Sequence, residues 1–290
     1  MGCTVRYCGR DFSDSELEDI RLLIAENTGA SRARLSREVC EQLQWRRAEG
    51  RLKDMSCRVA MLRMQEDGLI RLPPPRNGNG NGRPYRRRTP QAEPGLFPGV
   101  TSVGALGDLQ LDPVEHSRAS HLWNEYIDRY HYLGYQPLPG AQLRYFATAN
   151  GTVLALMGFG AAAWKTAPRD RFIGWSSQQR QNRLHLVVNN ARFLILPWVQ
   201  CKYLASRVLS MATRRLAEDW QKRYGYRPVL AETFVEIPRF QGTCYKAANW
   251  IYLGKTQGRG KLDVDHAASL PIKSIWIYPL VKNFRRKLCD

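Results

Sequence analysis

Within residues 1–72, apolar positions recur at helical spacing in three blocks. Leu17, Ile20 and Ile24 form the first stripe, which opens at Ser13-Asp14-Ser15-Glu16, where Ser13 and Glu16 have the spacing of a capping box. After a turn at Asn27-Thr28-Gly29, Ser31 caps a second block with Leu35, Val39 and Leu43 on one face and Arg32, Arg34 and Arg37 elsewhere. A third helix is predicted from about Lys53 to Asp67 with Met55, Val59 and Leu62 inward; it stops at Gly68, before the strand-like Leu69-Ile70-Arg71-Leu72. Three helices and a hairpin strand predict a winged helix over 1–72. In that geometry the third helix faces the major groove, which nominates Lys53, Arg58 and Arg63 as DNA contacts.

The pattern lapses over 73–112, where a proline triplet, an Asn-Gly alternation and Arg86-Arg87-Arg88 leave little to bury, as expected of a linker. The arginine triplet is placed to lie along phosphates. Residues 113–290 resume a mixed pattern. A helix is predicted from about Pro113 to Tyr130, a strand over Gln142–Ala147, a type I′ turn at Asn150-Gly151 and a buried strand over Val153–Phe159. Strands at 184–188 and 192–196, a long helix at 202–224, a strand at 228–237 and a helix at 243–253 follow. The expected class is α+β: an N-terminal winged helix plus a mixed, largely antiparallel sheet flanked by helices.

Charge adds a partner to this picture. The formal net charge is +18, and residues 1–90 alone hold 18 Lys and Arg against 12 Asp and Glu, so both parts carry a surplus. A polyanion, DNA first, is the expected partner. Seven scattered cysteines without a C-x-x-C pair indicate reduced thiols, not a disulfide framework or a zinc site. No apolar run of membrane-spanning length or secretion signal is present, so a cytoplasmic protein without membrane partners is expected.

Several long strings are more specific. Arg169-Asp170-Arg171-Phe172-Ile173-Gly174-Trp175, Val188-Asn189-Asn190-Ala191-Arg192-Phe193-Leu194-Ile195-Leu196-Pro197-Trp198 and Gly242-Thr243-Cys244-Tyr245-Lys246-Ala247-Ala248-Asn249-Trp250 resemble the DruA-like family of the Druantia anti-phage system. The resemblance runs over about residues 14–288 and includes His131-Tyr132-Leu133-Gly134 and Glu232-Thr233-Phe234. It implies a bacterial or mobile-element protein of phage defence, acting with other defence-system or mobile-element proteins. The element order over 184–253 is also similar to the GNAT acyltransferase fold, in which the strand-to-helix junction presents backbone amides to the coenzyme A pyrophosphate. That junction should carry Gln/Arg-x-x-Gly-x-Gly/Ala. Here Pro197–Ser206 holds no glycine, so no acyl-CoA cofactor is expected. The similar string Gln257-Gly258-Arg259-Gly260 precedes no predicted helix and reads as a basic loop, with Arg259 available to phosphate.

Chemistry on DNA requires acids for a divalent metal or a nucleophile with a base. Glu232 is the leading acid, because a charge among Val229, Leu230, Phe234 and Val235 is costly to bury. Glu236 shares its strand face but stands about 13 Å away by strand rise, too far to chelate the same ion. Asp170 is the second ligand for Mg2+, and Asp263, Asp265 and His266 form a further acid-rich loop. His131, between Tyr130 and Tyr132, is the candidate base. Asn189, Asn190 and Arg192 offer two amides and a guanidinium to a phosphate or base, or a turn, and Trp164, Trp175, Trp198 and Trp250 offer stacking surfaces or core. Three readings remain open: a metal-dependent nuclease or transposase-like enzyme, a non-catalytic DNA-recognition adaptor, and an acyltransferase. The first predicts acids gathered near Glu232, the second a basic groove without them, and the third a splayed strand pair with an open slot beside Val199–Ser206.

Overall fold

The computed structural model describes residues 4–47, 50–76, 87–95, 97, 99, 102–138, 140–259 and 269–290. Arg86, Asp263, Asp265 and His266 lie outside them. The chain divides into two compact units, 1–81 and 82–290.

The smaller unit opens with a hairpin, β1 (Val5–Tyr7) and β2 (Arg10–Phe12), followed by α1 (Asp14–Glu26), α2 (Arg32–Gln42) and α3 (Asp54–Glu66). Ser13 and Glu16 make the reciprocal capping box, and the Ser31 hydroxyl accepts the Arg34 amide. Two expectations need correction. The buried stripe of α3 is Cys57, Ala60, Met61 and Met64, while Met55 and Val59 are exposed. Small Cys57 and Ala60 let α3 approach the rest of this core closely, and their modest hydropathy hid the stripe. Leu69–Leu72 forms no strand; Ile70 and Leu72 pack into the same core as irregular chain. The unit's two-stranded sheet is instead the leading β1–β2 hairpin.

The larger unit holds a seven-stranded mixed sheet flanked by helices. In chain order its elements are β3 (Leu109–Pro113), α4 (Ser117–Tyr130), β4 (Leu143–Ala149), β5 (Thr152–Ala161), α5 (Ala167–Ile173), α6 (Ser177–Arg183), β6 (Val187–Ile195), α7 (Leu204–Tyr224), β7 (Leu230–Glu236), α8 (Thr243–Ala247), β8 (Ile251–Lys255), β9 (Lys273–Pro279) and α9 (Phe284–Cys289). The strand order is β3-β4-β5-β6-β7-β9-β8, antiparallel except for β6–β7. Asn150 and Gly151, both at positive φ, turn β4 into β5 as predicted.

Neighbouring residues of β4 define the two faces. The Arg144 guanidinium donates to Asn124 and Ser120 of α4, whereas the Tyr145 hydroxyl donates to Asp219 of α7. Because successive strand residues point to opposite faces, α4 and α7 cover opposite sides. Trp123 and Trp220 bury their indoles from these helices into one continuous core.

Three further expectations change. The stretch read as linker becomes part of this unit: Thr89 donates its amide and hydroxyl to the buried Glu125, Tyr126 and Tyr130 donate to the carbonyls of Gln91 and Ala92, and β3 pairs with β4. The two strands expected at 184–188 and 192–196 are one strand, β6, with Asn189 and Asn190 inside it. The helix expected at 243–253 stops after one turn, where Asn249 at positive φ redirects the chain into β8. Among the described residues, no helix is long and apolar enough to cross a membrane.

Candidate functional site

β6 and β7 pair only from Val187↔Leu230 to Asn189↔Glu232, although both strands continue. They part where β6 carries a bulge: Gly158 of β5 faces Arg192, Phe159 faces Asn190, and Ala191 is the extra residue. Gly158 and Gly160 are two apart and share a face, so their partners Arg192 and Asn189 share it as well. This is the α4 face. A Cβ on Gly158 would stand 3.0 Å from the Trp123 ring, and one on Gly160 3.7 Å from Leu138.

Asn190 takes the other face. Its amide donates to the carbonyls of Gly158 and Arg192, and its Oδ1 accepts the hydroxyl of the buried Tyr245 at 2.8 Å. Thr233 of β7 donates to the Asn190 carbonyl at 3.0 Å. Side chains thus bridge the gap between the parted strands. Tyr245→Phe leaves the Asn190 oxygen buried without its donor, and a loss of about 1–3 kcal/mol in urea-induced unfolding is expected.

On the α4 face the parted strands floor a groove. His131 and Tyr132, just past α4, form its rim; their rings stack with centroids 4.9 Å apart. Burial and the nearby Arg192 push the His131 imidazole down to about 4, so it is neutral near pH 7, and its Nδ1 accepts the Leu133 amide. Burial raises the Tyr132 phenol, which also donates to the Glu236 carboxylate. The Arg239 guanidinium lies 4.9 Å over the Tyr132 ring and pairs with Glu236 at 3.4 Å. Phe240 packs against Tyr132 at 5.2 Å and remains 46% exposed. Below them, desolvation lowers the Arg192 guanidinium. Its Nε and the Asn189 Oδ1 are buried and have no hydrogen-bond partner among the described residues. The groove therefore offers one unsatisfied donor and one unsatisfied acceptor under an aromatic and cationic rim.

Glu232 and Asp170 meet in a different arrangement. Fully buried Glu232 accepts the Ala163 amide and the Arg169 guanidinium, each at 2.9 Å. Arg169, also fully buried, donates to Asp170 at 2.9 Å, and Trp175, Thr166 and Arg180 complete the bonds to that carboxylate. Desolvation raises the Glu232 carboxyl against the pull of Arg169. All four carboxylate oxygens are taken, and the described residues hold no group of three His, Cys, Asp or Glu suited to a metal ion. The expected acid pair is thus brought together, by an arginine that the sequence reading passed over, as a buried ion-pair network.

The other sequence candidates are dispersed. Lys53 sits at the N-terminus of α3, Arg58 pairs with Asp54 at 4.0 Å, and the exposed Arg63 is five residues on, so Arg58 and Arg63 do not share a helix face. Arg87 and Arg259 are exposed, and Arg88 is paired with Asp128 at 3.1 Å. Trp175 and Trp250 are core, Trp198 packs on Tyr130, and Trp164 is 57% exposed beside Arg180. Tyr132, Glu236, Arg239 and Phe240 were not assigned to a common site, although a Pro-Arg-Phe string directly after a predicted strand end was a usable signal.

The β6–α7 junction does not fit a coenzyme A pyrophosphate. Ser102 bridges to Lys202, the Val103 amide donates to the Lys202 carbonyl at 3.0 Å, and no glycine lies between Leu196 and Ser206. The splayed pair expected of an acyltransferase is present, but its α7-side opening is filled by Tyr245.

Solved structures with some likeness to the chain include a ribosomal-protein-S18-alanine N-acetyltransferase from Escherichia coli, at 13% identity over 60% of this chain and 94% of that one, with a TM-score of 0.38. A polyamine N-acetyltransferase from Drosophila melanogaster matches at 9% identity over 59% and 100%, with a TM-score of 0.38. An N-acetyltransferase from Staphylococcus aureus Mu50 matches at 15% identity over 48% and 68%, with a TM-score of 0.31. Likenesses this distant carry no functional argument. No curated protein matches the chain. The family model described as Druantia protein DruA matches residues 66–270, which span most of the larger unit, its β6 bulge and its groove. The chain belongs to the DruA family.

Proposed function

We propose that this protein is a DNA-binding component of an anti-phage defence system, and that the groove of the larger unit is where it meets nucleic acid. The observation that carries this reading is Arg192. A guanidinium buried with its Nε unsatisfied is costly, and a phosphate or a base edge would satisfy it. The surplus of +18 favours a polyanion as the source of that group. The Glu232–Arg169–Asp170 network supports recognition over metal-dependent cutting, because a metal would have to displace every donor now bonded to those oxygens.

The test is fluorescence anisotropy of labelled DNA over a series of KCl concentrations. Wild-type affinity should fall linearly with salt on logarithmic axes. Arg192→Ala should weaken binding by about ten-fold or more, the usual loss for a charged hydrogen bond, without lowering the unfolding midpoint. Unchanged affinity in that variant moves the DNA site elsewhere, and no salt-sensitive binding by the wild type removes the DNA reading.

A further inference from the structure

We infer that the groove takes an unpaired nucleotide, so that the larger unit recognises single-stranded or gapped DNA and not the interior of a duplex. This rests on the DNA-binding reading above and names its substrate class.

The two unsatisfied groups on the floor form a complementary pair. Arg192 Nε is a donor and Asn189 Oδ1 an acceptor, and they lie on one face opposite Gly158 and Gly160. Two strand positions span about 7 Å, the scale of one base. A phosphate has only acceptors and would leave the Asn189 oxygen unmatched; a base edge presents ring carbonyls and N–H groups together. Neighbouring β5 has glycine at both positions, which removes side chains that would otherwise stand over this floor.

The rim suits the rest of a nucleotide. Phe240 is an exposed ring held in place by Tyr132, and base stacking on such a ring does not depend on sequence. Arg239 is 54% exposed and carries its charge at the same rim, where a backbone phosphate would follow a base already in the groove. The Glu236 carboxylate is only partly exposed and already paired with Arg239 and Tyr132, so it presents no free negative charge to that phosphate. A base inside a duplex has its pairing edge occupied and both faces stacked, so neither floor nor rim can reach it.

The full-length protein should be titrated with a labelled oligothymidine, the matching blunt duplex and a duplex with a short single-stranded gap. The expected result is tighter binding to the single strand and the gapped duplex than to the blunt duplex. Phe240→Ala should weaken binding to those two by about five- to one-hundred-fold and change blunt-duplex binding by less than two-fold, with Phe240→Trp restoring the loss. Phe240 is exposed, so its truncation leaves the fold intact, and unchanged unfolding of the variant checks this. Equal binding of all three DNAs, or equal loss on all three in Phe240→Ala, overturns the unpaired-nucleotide inference while DNA binding stands. Binding to none of them overturns both.

Discussion

Replacing Arg169 by alanine is expected to destabilise the larger unit by about 3–5 kcal/mol, because it leaves the Glu232 carboxylate buried without its counter-charge. Seven of the eight tryptophans lie in residues 82–290, so urea unfolding followed by tryptophan fluorescence reports on this unit. The loss should depend on pH with a definite sign. The Glu232 carboxyl is raised in the folded state, and without Arg169 it rises further. A folded acid whose affinity for protons exceeds that of the unfolded chain gains stability as pH falls. The deficit of Arg169→Ala should therefore be largest above neutrality and shrink as pH is lowered toward the ordinary carboxylate range. Asp170 retains Arg180, Trp175 and the Thr166 amide, so it does not reverse this trend. Pairing Arg169→Met with Glu232→Gln should recover most of the stability, since the uncompensated charge is removed. A deficit that is flat with pH would show that lost packing of the arginine stem, not the stranded charge, dominates.

Gly242→Ala has the next largest expected effect. Gly242 lies at φ +72, and a Cβ there would stand 2.9 Å from the indole of Trp276. The left-handed backbone and the overlap together should cost about 2–4 kcal/mol. Gly225→Ala is the internal control: its φ is +83 with nothing within 4 Å of the added carbon, so it carries only the conformational cost of about 1 kcal/mol. The difference between the two variants in the same urea experiment isolates the indole contact. Equal losses would mean that Trp276 yields freely. Because Gly242 ends the loop that presents Arg239 and Phe240, the variant should also weaken any ligand held at the rim of the groove.

What was legible in the sequence was mostly local chemistry. The capping box at Ser13, the cap at Ser31, the Asn150-Gly151 turn and the long helix ended by Gly225 each depend on a few adjacent residues whose backbone preferences are strong. The family resemblance rested on long contiguous strings, and the family match covers those same strings. What was not legible depended on partners distant in sequence. The phase of α3 followed from how closely it packs, which favours Cys57 and Ala60 over bulkier Met55 and Val59. Asn189-Asn190 has the composition of a turn, but β5 and β7 on either side hold it as strand. The composition of residues 88–113 reads as linker because its order comes from hydrogen bonds to α4 and from pairing with β4. For the site, His131, Asn189 and Arg192 were legible as polar groups within apolar strings. Tyr132, Arg239 and Phe240 join them only through tertiary contact. Glu232 and Asp170 were rightly singled out as unusual acids, yet the reason lay in Arg169, a residue type that is charged and abundant in this chain and so carried no signal.

The bulge in β6 has a consequence in parity. A strand sorts its residues as odd or even, and residues three apart belong to opposite classes. One supernumerary residue shifts the count, so Asn189 and Arg192 fall in the same class while Asn190 between them falls in the other. A run of four residues can then serve two environments at once: its ends address an open groove, and its middle fastens the core through Tyr245. The same arithmetic makes this run intolerant of length changes. Removing Ala191 would exchange the classes, turning a guanidinium toward the core and an apolar neighbour toward solvent, even though every chemically active side chain was kept.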